Sequence, residues 1–210
     1  MSFYRDRVVP RLVNWACGTS GLARWRVRAC QGLTGVVVEI GFGSGLNVLY
    51  YPDEVTLVYA VEPALLAQKL ARDRVAHSPT PIQHTGVDGQ SLPLANESCD
   101  GALLTFTLCT IPDPPLALAE IRRVLRPGGR LHFLEHGVAP SASVARWQAR
   151  WDPVQARLAA GCHLTRDPLS LIEAAGFDVE WSEQRFATGP KPWSYFSVGV
   201  AQKSVTPTVV

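Results

Sequence analysis

The stretch VVVEIGFGSGLN at residues 36–47 runs an apolar ribbon into Glu39 and then into three glycines, Gly41, Gly43 and Gly45. Consecutive valines with no polar face mark a strand buried on both sides, as in a parallel sheet covered by helices. Alternate glycines directly after it let the chain turn sharply and leave no Cβ to obstruct a ligand. The feature therefore calls for an open α/β sheet in which a nucleotide lies against bare backbone beyond the strand's carboxyl end.

The rest of the chain keeps that rhythm. Apolar strands are predicted at residues 55–62, 81–86, 99–108 and 130–137, and helices at 63–76, 114–125, 143–161 and 167–177. Pro63 stands at a favourable first helical position, Pro153 is expected to interrupt its helix, and RPGG at 126–129 stops the one before it. Two closing runs, 178–187 and 193–203, are joined by the short TGPKP and must pair antiparallel, because a parallel return needs a much longer crossover. One domain is expected over residues 1–210: a helical, basic cap at 1–34, a Rossmann-like core at 35–203 and a tail at 204–210.

Composition narrows the function. A chain of 210 residues that is 47% hydrophobic can bury a substantial core. No apolar run approaches a membrane span, and a soluble, unprocessed, cytoplasmic chain is expected. The five cysteines, Cys17, Cys30, Cys99, Cys109 and Cys162, form no C-x-x-C pair, so neither a disulfide framework nor a metal site is signalled. A net charge of +2, with no broad basic face and no N/D-P-P-Y/F motif, argues against nucleic acid as a partner. The basic residues do concentrate between Arg5 and Arg28, interleaved with Trp15 and Trp25. That pattern suits either an N-terminal cap with solvated arginines or peripheral contact with an anionic membrane.

The glycine spacing discriminates among nucleotides. A dinucleotide fingerprint starting at Gly41 needs glycine at 46, where this chain has Leu46. Glu39 would oppose a pyrophosphate and suits a ligand bearing a cation. S-adenosylmethionine is such a ligand, an adenosine without phosphate, joined to a sulfonium and an amino acid. Glu62, at the end of the second strand, is placed to accept hydrogen bonds from two ribose hydroxyls. Asp88 follows the third strand and is placed to accept from the adenine amino group.

In order, EIGFGSG, VEP, DGQSLP and LRPGG resemble the class I S-adenosylmethionine-dependent methyltransferases, of the type 11 methyltransferase domain. The resemblance implies a seven-stranded, mostly parallel sheet of order 3-2-1-4-5-7-6, its last strand antiparallel, with helices on both faces. It implies cofactor contacts from Glu39, Gly41, Phe42, Gly43, Gly45, Asn47, Glu62, Pro63, Asp88 and Gly89, with Thr105 and Phe106 facing the methyl group. S-adenosylhomocysteine is then the product. Rarer pieces, among them LTFTLCTIPDP, LHFLEHG and GCHLTRD, are similar to bacterial relatives of the mammalian membrane-associated alkyl thiol S-methyltransferases. They imply methylation of a small lipophilic thiol, by direct in-line substitution.

His136 and His163 are the candidate groups to take a proton from the acceptor, and structural hydrogen bonds explain either equally well. Cys109 and Cys162 near the acceptor suit covalent catalysis, metal binding with the histidines or, as free cysteines usually do, plain burial. Trp147, Trp151, Trp193 and Phe196 are candidates to wall an apolar pocket. The rival readings are an O- or N-methyltransferase of a quinol, phenol or phospholipid head group, and a non-catalytic partner subunit docking through its N-terminus. Oligomeric state is not legible.

Overall fold

The computed structural model describes residues 7–204, so Arg5, Asp6 and residues 205–210 of the expected tail lie outside it. Its strands are β1 (Gly35–Ile40), β2 (Val55–Val61), β3 (Ile82–Gly86), β4 (Cys99–Thr105), β5 (Leu125–His136), β6 (Phe177–Phe186) and β7 (Tyr195–Lys203). They form one sheet of order β3-β2-β1-β4-β5-β7-β6. The first five run parallel, and β7 lies antiparallel between β5 and β6. Because the crossovers leave β1 and β4 in opposite directions, the crevice beyond their carboxyl ends is where ligands of such sheets bind.

Strand side chains alternate between two cores. Val38 and Ile40 pack on one face with α4 (Pro114–Val124) and α6 (Pro168–Ala174), through Leu118, Ile121, Val124 and Ile172. Val37 packs on the other with α2 (Ala23–Cys30) and α3 (Leu65–Ala76), through Trp25, Ala29 and Ala71. Both helices of the first core begin on an aspartate. Asp113 accepts from Leu116 N at 3.0 Å and Asp167 from Leu169 N at 3.2 Å, and each stands before a proline that needs no N–H partner.

Three boundaries differ from expectation. The helix after β2 starts at Leu65 rather than Pro63, because the Glu62 carboxylate takes the amide of Ala64 and holds that residue extended. β5 begins at Leu125, which pairs with Cys99; RPGG then bulges out before pairing resumes at Arg130 opposite Gly101. The helix α5 (Ala142–Leu158) runs through Pro153 unbroken, that proline being on its exposed face. A single turn, α7 (Lys191–Ser194), sits in the loop of the closing hairpin.

The basic N-terminal segment divides. On α1 (Val9–Cys17), Trp15 is 75% exposed. On α2, Trp25 is buried edge-on against Phe196, with ring centroids 5.5 Å apart. Arg26 is also buried, so it is no solvated cation; its guanidinium is committed to the site described next.

Candidate active site

All three loop glycines have left-handed φ: 74° at Gly41, 58° at Gly43 and 72° at Gly45. They differ in what a side chain would meet. At Gly41 a Cβ would collide with the Thr107 side chain, so that glycine serves close packing between β1 and the turn after β4. At Gly43 a Cβ would meet nothing nearer than the Gly41 carbonyl oxygen, at 3.7 Å, so there the backbone lies open to a ligand. Phe42 points inward against His84, at 5.5 Å between ring centroids, and offers the site its backbone only.

Glu62 ties this loop to β2. Its Oε2 accepts from Gly43 N at 2.8 Å and its Oε1 from Ala64 N at 2.7 Å. Burial raises its pKa. Each oxygen keeps a second acceptor position, which is what a vicinal diol requires. Pro63 is exposed beside it. Gly89 packs on the end of β1, where a Cβ would stand 2.5 Å from Ile40 Cγ2. Its neighbour Asp88 is exposed, with Oδ1 accepting from Gln90 N at 2.8 Å.

Beneath the loop lies a network of buried polar groups. Asn47 Nδ2 donates to Glu39 Oε1 and to Thr105 Oγ1, each at 2.9 Å. Its Oδ1 accepts from Arg26 Nη1 at 2.6 Å, and Tyr51 donates its hydroxyl to Glu39 Oε2. Glu39 is 1% exposed, so it touches no ligand directly and connects to the loop through Asn47.

Glu135 is the second fully buried acid. It accepts from Thr107 N at 2.7 Å and Leu108 N at 3.1 Å, fixing the turn after β4. Sequence reasoning gave Glu135, Tyr51 and Arg26 no role; an acid inside a strand buried on both faces was the signal available, since such a group must find donors. Burial pushes Glu39 and Glu135 up to about 7 each. Both therefore hold a proton in the fold at a pH where the unfolded carboxyls, titrating near 4.5, have released it. Unfolding free energy accordingly falls as pH rises from about 4.5 to about 7, by up to ~3 kcal/mol per group. Thermal melts should give a lower midpoint at pH 8 than at pH 5.5, with a shallower slope in Glu39→Gln. A wild-type midpoint that climbs across this window would contradict the assignment.

Directly after β4, Phe106 adopts a left-handed φ of 55°, a strained conformation for an aromatic residue. Its ring meets Phe196 at 5.2 Å, which joins Phe196 to Phe106 and Trp25. Trp147, Trp151 and Trp193 cluster separately on α5 and α7. His163 is paired with Asp152, Nδ1 to Oδ2 at 2.7 Å, and Asp152 also accepts from Leu164 N at 2.6 Å. An aspartate on Nδ1 holds the tautomer that leaves Nε2 free to accept a proton. His136 Nε2 lies 3.1 Å from Cys162 Sγ.

The family model described as "Methyltransferase domain" matches residues 38–133. The chain is 34% identical over 169 residues to the thiol S-methyltransferase TMT1B of Rattus norvegicus, covering 78% of this chain and 66% of that protein. It is 33% identical over 180 residues to the Homo sapiens protein of the same name, covering 80% and 71%. Among solved structures, a S-adenosylmethionine-dependent methyltransferase of Thermotoga maritima, a possible histamine N-methyltransferase, superposes with a TM-score of 0.67 at 22% identity, covering 95% of this chain and 97% of its own. The sheet order, the open glycine loop and these relatives agree: the chain belongs to the S-adenosylmethionine-dependent methyltransferases with a Rossmann-like fold, in the branch related to the TMT1 thiol S-methyltransferases.

Proposed function

We propose that this methyltransferase acts on the sulfur of a small, apolar thiol. The observation that carries the proposal is the similarity, over about four-fifths of the chain, to proteins named thiol S-methyltransferases. The edge-on packing of Phe106 against Phe196 at the turn after β4 gives that end of the sheet an apolar character, which suits an apolar acceptor. When bound, S-adenosylmethionine supplies a methyl group on a cationic sulfur that departs as a neutral thioether.

The chain's own residues supply position. Glu62 would accept from the ribose diol, and Asp88 and the backbone at Gly89 would meet the adenine, with Pro63 exposed beside Glu62. The glycine turn at Gly41, Phe42, Gly43 and Gly45, open at Gly43, would carry the amino acid end, with Asn47 and the buried Glu39 carboxyl beneath it. Thr105 and Phe106 stand at the reacting end. Fixing both partners in line contributes up to about 7–11 kcal/mol in favourable cases, and apolar walls exclude water, which strengthens the attraction between thiolate and sulfonium.

His163, oriented by Asp152, takes the acceptor's proton. A thiol titrates near 8.5 and a phenol near 10, so the thiol needs this help less. With methyl-labelled cofactor and a panel of an alkyl thiol, thiophenol, a phenol and a quinol, we expect turnover on the thiols. Turnover confined to the oxygen acceptors would overturn the proposal. His163→Gln should slow thiophenol methylation less than alkyl thiol methylation, by about tenfold or more in the ratio of kcat/KM. Equal losses on both would remove His163 from proton transfer.

A further inference from the structure

Cys109, His136 and Cys162 come from three separate segments, and their ligand atoms lie within 4.8 Å of one another. The backbone is built to hold them there. Glu135 binds the amides of Thr107 and Leu108 from below, and Arg166 donates to the carbonyls of Leu108 and Ile111, so the turn carrying Cys109 is fixed on both sides. His163 N donates to Cys109 O at 2.8 Å, locking the Cys162 loop to that turn. The loop itself reaches Cys162 through two left-handed residues, Ala160 at φ 54° and Gly161 at φ 98°. Ala160 is not a glycine, so its left-handed backbone is strained just before Cys162.

We propose that Cys109, His136 and Cys162 form a zinc site whose fourth position receives the thiol acceptor. Two cysteine sulfurs and an imidazole nitrogen are the soft-to-borderline donors that select zinc, and two thiolates neutralise its charge. Bonds of about 2.3 Å to sulfur and 2.0–2.1 Å to nitrogen on a tetrahedral ion separate the ligand atoms by roughly 3.5–3.8 Å. The observed 3.1 Å from His136 Nε2 to Cys162 Sγ and the 4.8 Å limit on the group bracket that value. The His136 Nδ1 is buried with no hydrogen-bond partner among the described residues, while Nε2 is the ring nitrogen turned to Cys162. Thr110 Oγ1, 3.4 Å from Cys109 Sγ, is placed to donate to that thiolate.

A Cys2His zinc with one position left to water or substrate is the arrangement of a catalytic site rather than a structural one. Among the described residues no other histidine, cysteine or acid joins the group, Cys17 included, which leaves the fourth position open. An incoming thiol binds there as thiolate: its S–H bond breaks, the proton leaves to solvent or to His163, and the sulfur keeps the electron pair. The choice of a thiol rests on the function proposed above, whereas the metal site does not.

The test uses the full chain, purified under a phosphine reductant. Metal analysis should find about one zinc per chain, and Cys162→Ser and His136→Gln should each weaken zinc binding by more than about a hundredfold with the circular dichroism unchanged. Cobalt loaded in place of zinc should show thiolate charge-transfer absorption, which intensifies when an alkyl thiol is added without S-adenosylmethionine. This readout is independent of turnover, so a cobalt protein that binds thiol yet methylates only phenols would sink the proposed acceptor and leave the site standing. A fully reduced, folded chain that takes up no zinc or cobalt overturns the metal site, as does unchanged zinc affinity in both variants. Loss of zinc in Cys17→Ser would give a closed four-ligand centre and overturn the open position.

Discussion

Glu62→Ala should weaken S-adenosylmethionine binding by at least about a hundredfold, read by calorimetry against a wild-type protein of the same preparation. A carboxylate that accepts from a hydroxyl contributes about 1.5–3 kcal/mol per bond, so two ribose hydroxyls account for about 3–6 kcal/mol, or two to four orders of magnitude. The substitution also frees the amides of Gly43 and Ala64, which Glu62 holds at 2.8 and 2.7 Å, so the open backbone loses its anchor to β2 as the sugar loses its partner. Glu62→Gln separates these effects. Its amide nitrogen must face one of the two N–H groups, so one anchor is lost while one acceptor remains, and an intermediate affinity is expected. Alanine that binds the cofactor as tightly as wild type, with the fold intact by circular dichroism, would take Glu62 out of the site.

What could be read in the sequence was what short-range chemistry encodes. Valine runs and the glycines after them are local signals, and strand order followed from the resemblance those motifs carried; the antiparallel end followed from the short link before β7. The open backbone at Gly43 was legible for the same reason. Partner choice among buried polar groups was not. Arg26 reaches Asn47 across 21 residues, and Glu135 reaches Thr107 across 28. The arginine looked like one of several solvated cations until α2 folded it under the loop. The cysteines form no contiguous metal motif, since Cys109 and Cys162 lie 53 residues apart; the turn after β4, the end of β5 and the loop after α5 bring them together with His136.

The same long-range network sets the largest expected change in stability, at Asn47. Its single amide faces an arginine, a glutamate and a threonine, accepting from the first and donating to the others. Asn47→Leu is close in volume but leaves the Arg26 guanidinium and the Glu39 carboxyl buried against a methyl group. Removing one partner from a buried charge costs about 3–5 kcal/mol. For a domain of this size that lowers the thermal midpoint by roughly 6–20 °C. The loss should be smaller at pH 5.5 than at pH 8, because Glu39 is protonated at the lower pH and a neutral carboxyl tolerates the missing donor better. In the double variant Arg26→Met/Asn47→Leu the buried cation is gone, so part of the loss should be recovered rather than added to. A midpoint within about 2 °C of wild type in Asn47→Leu, or strictly additive losses in the double variant, would mean that Arg26 and Glu39 are stabilised independently of this amide.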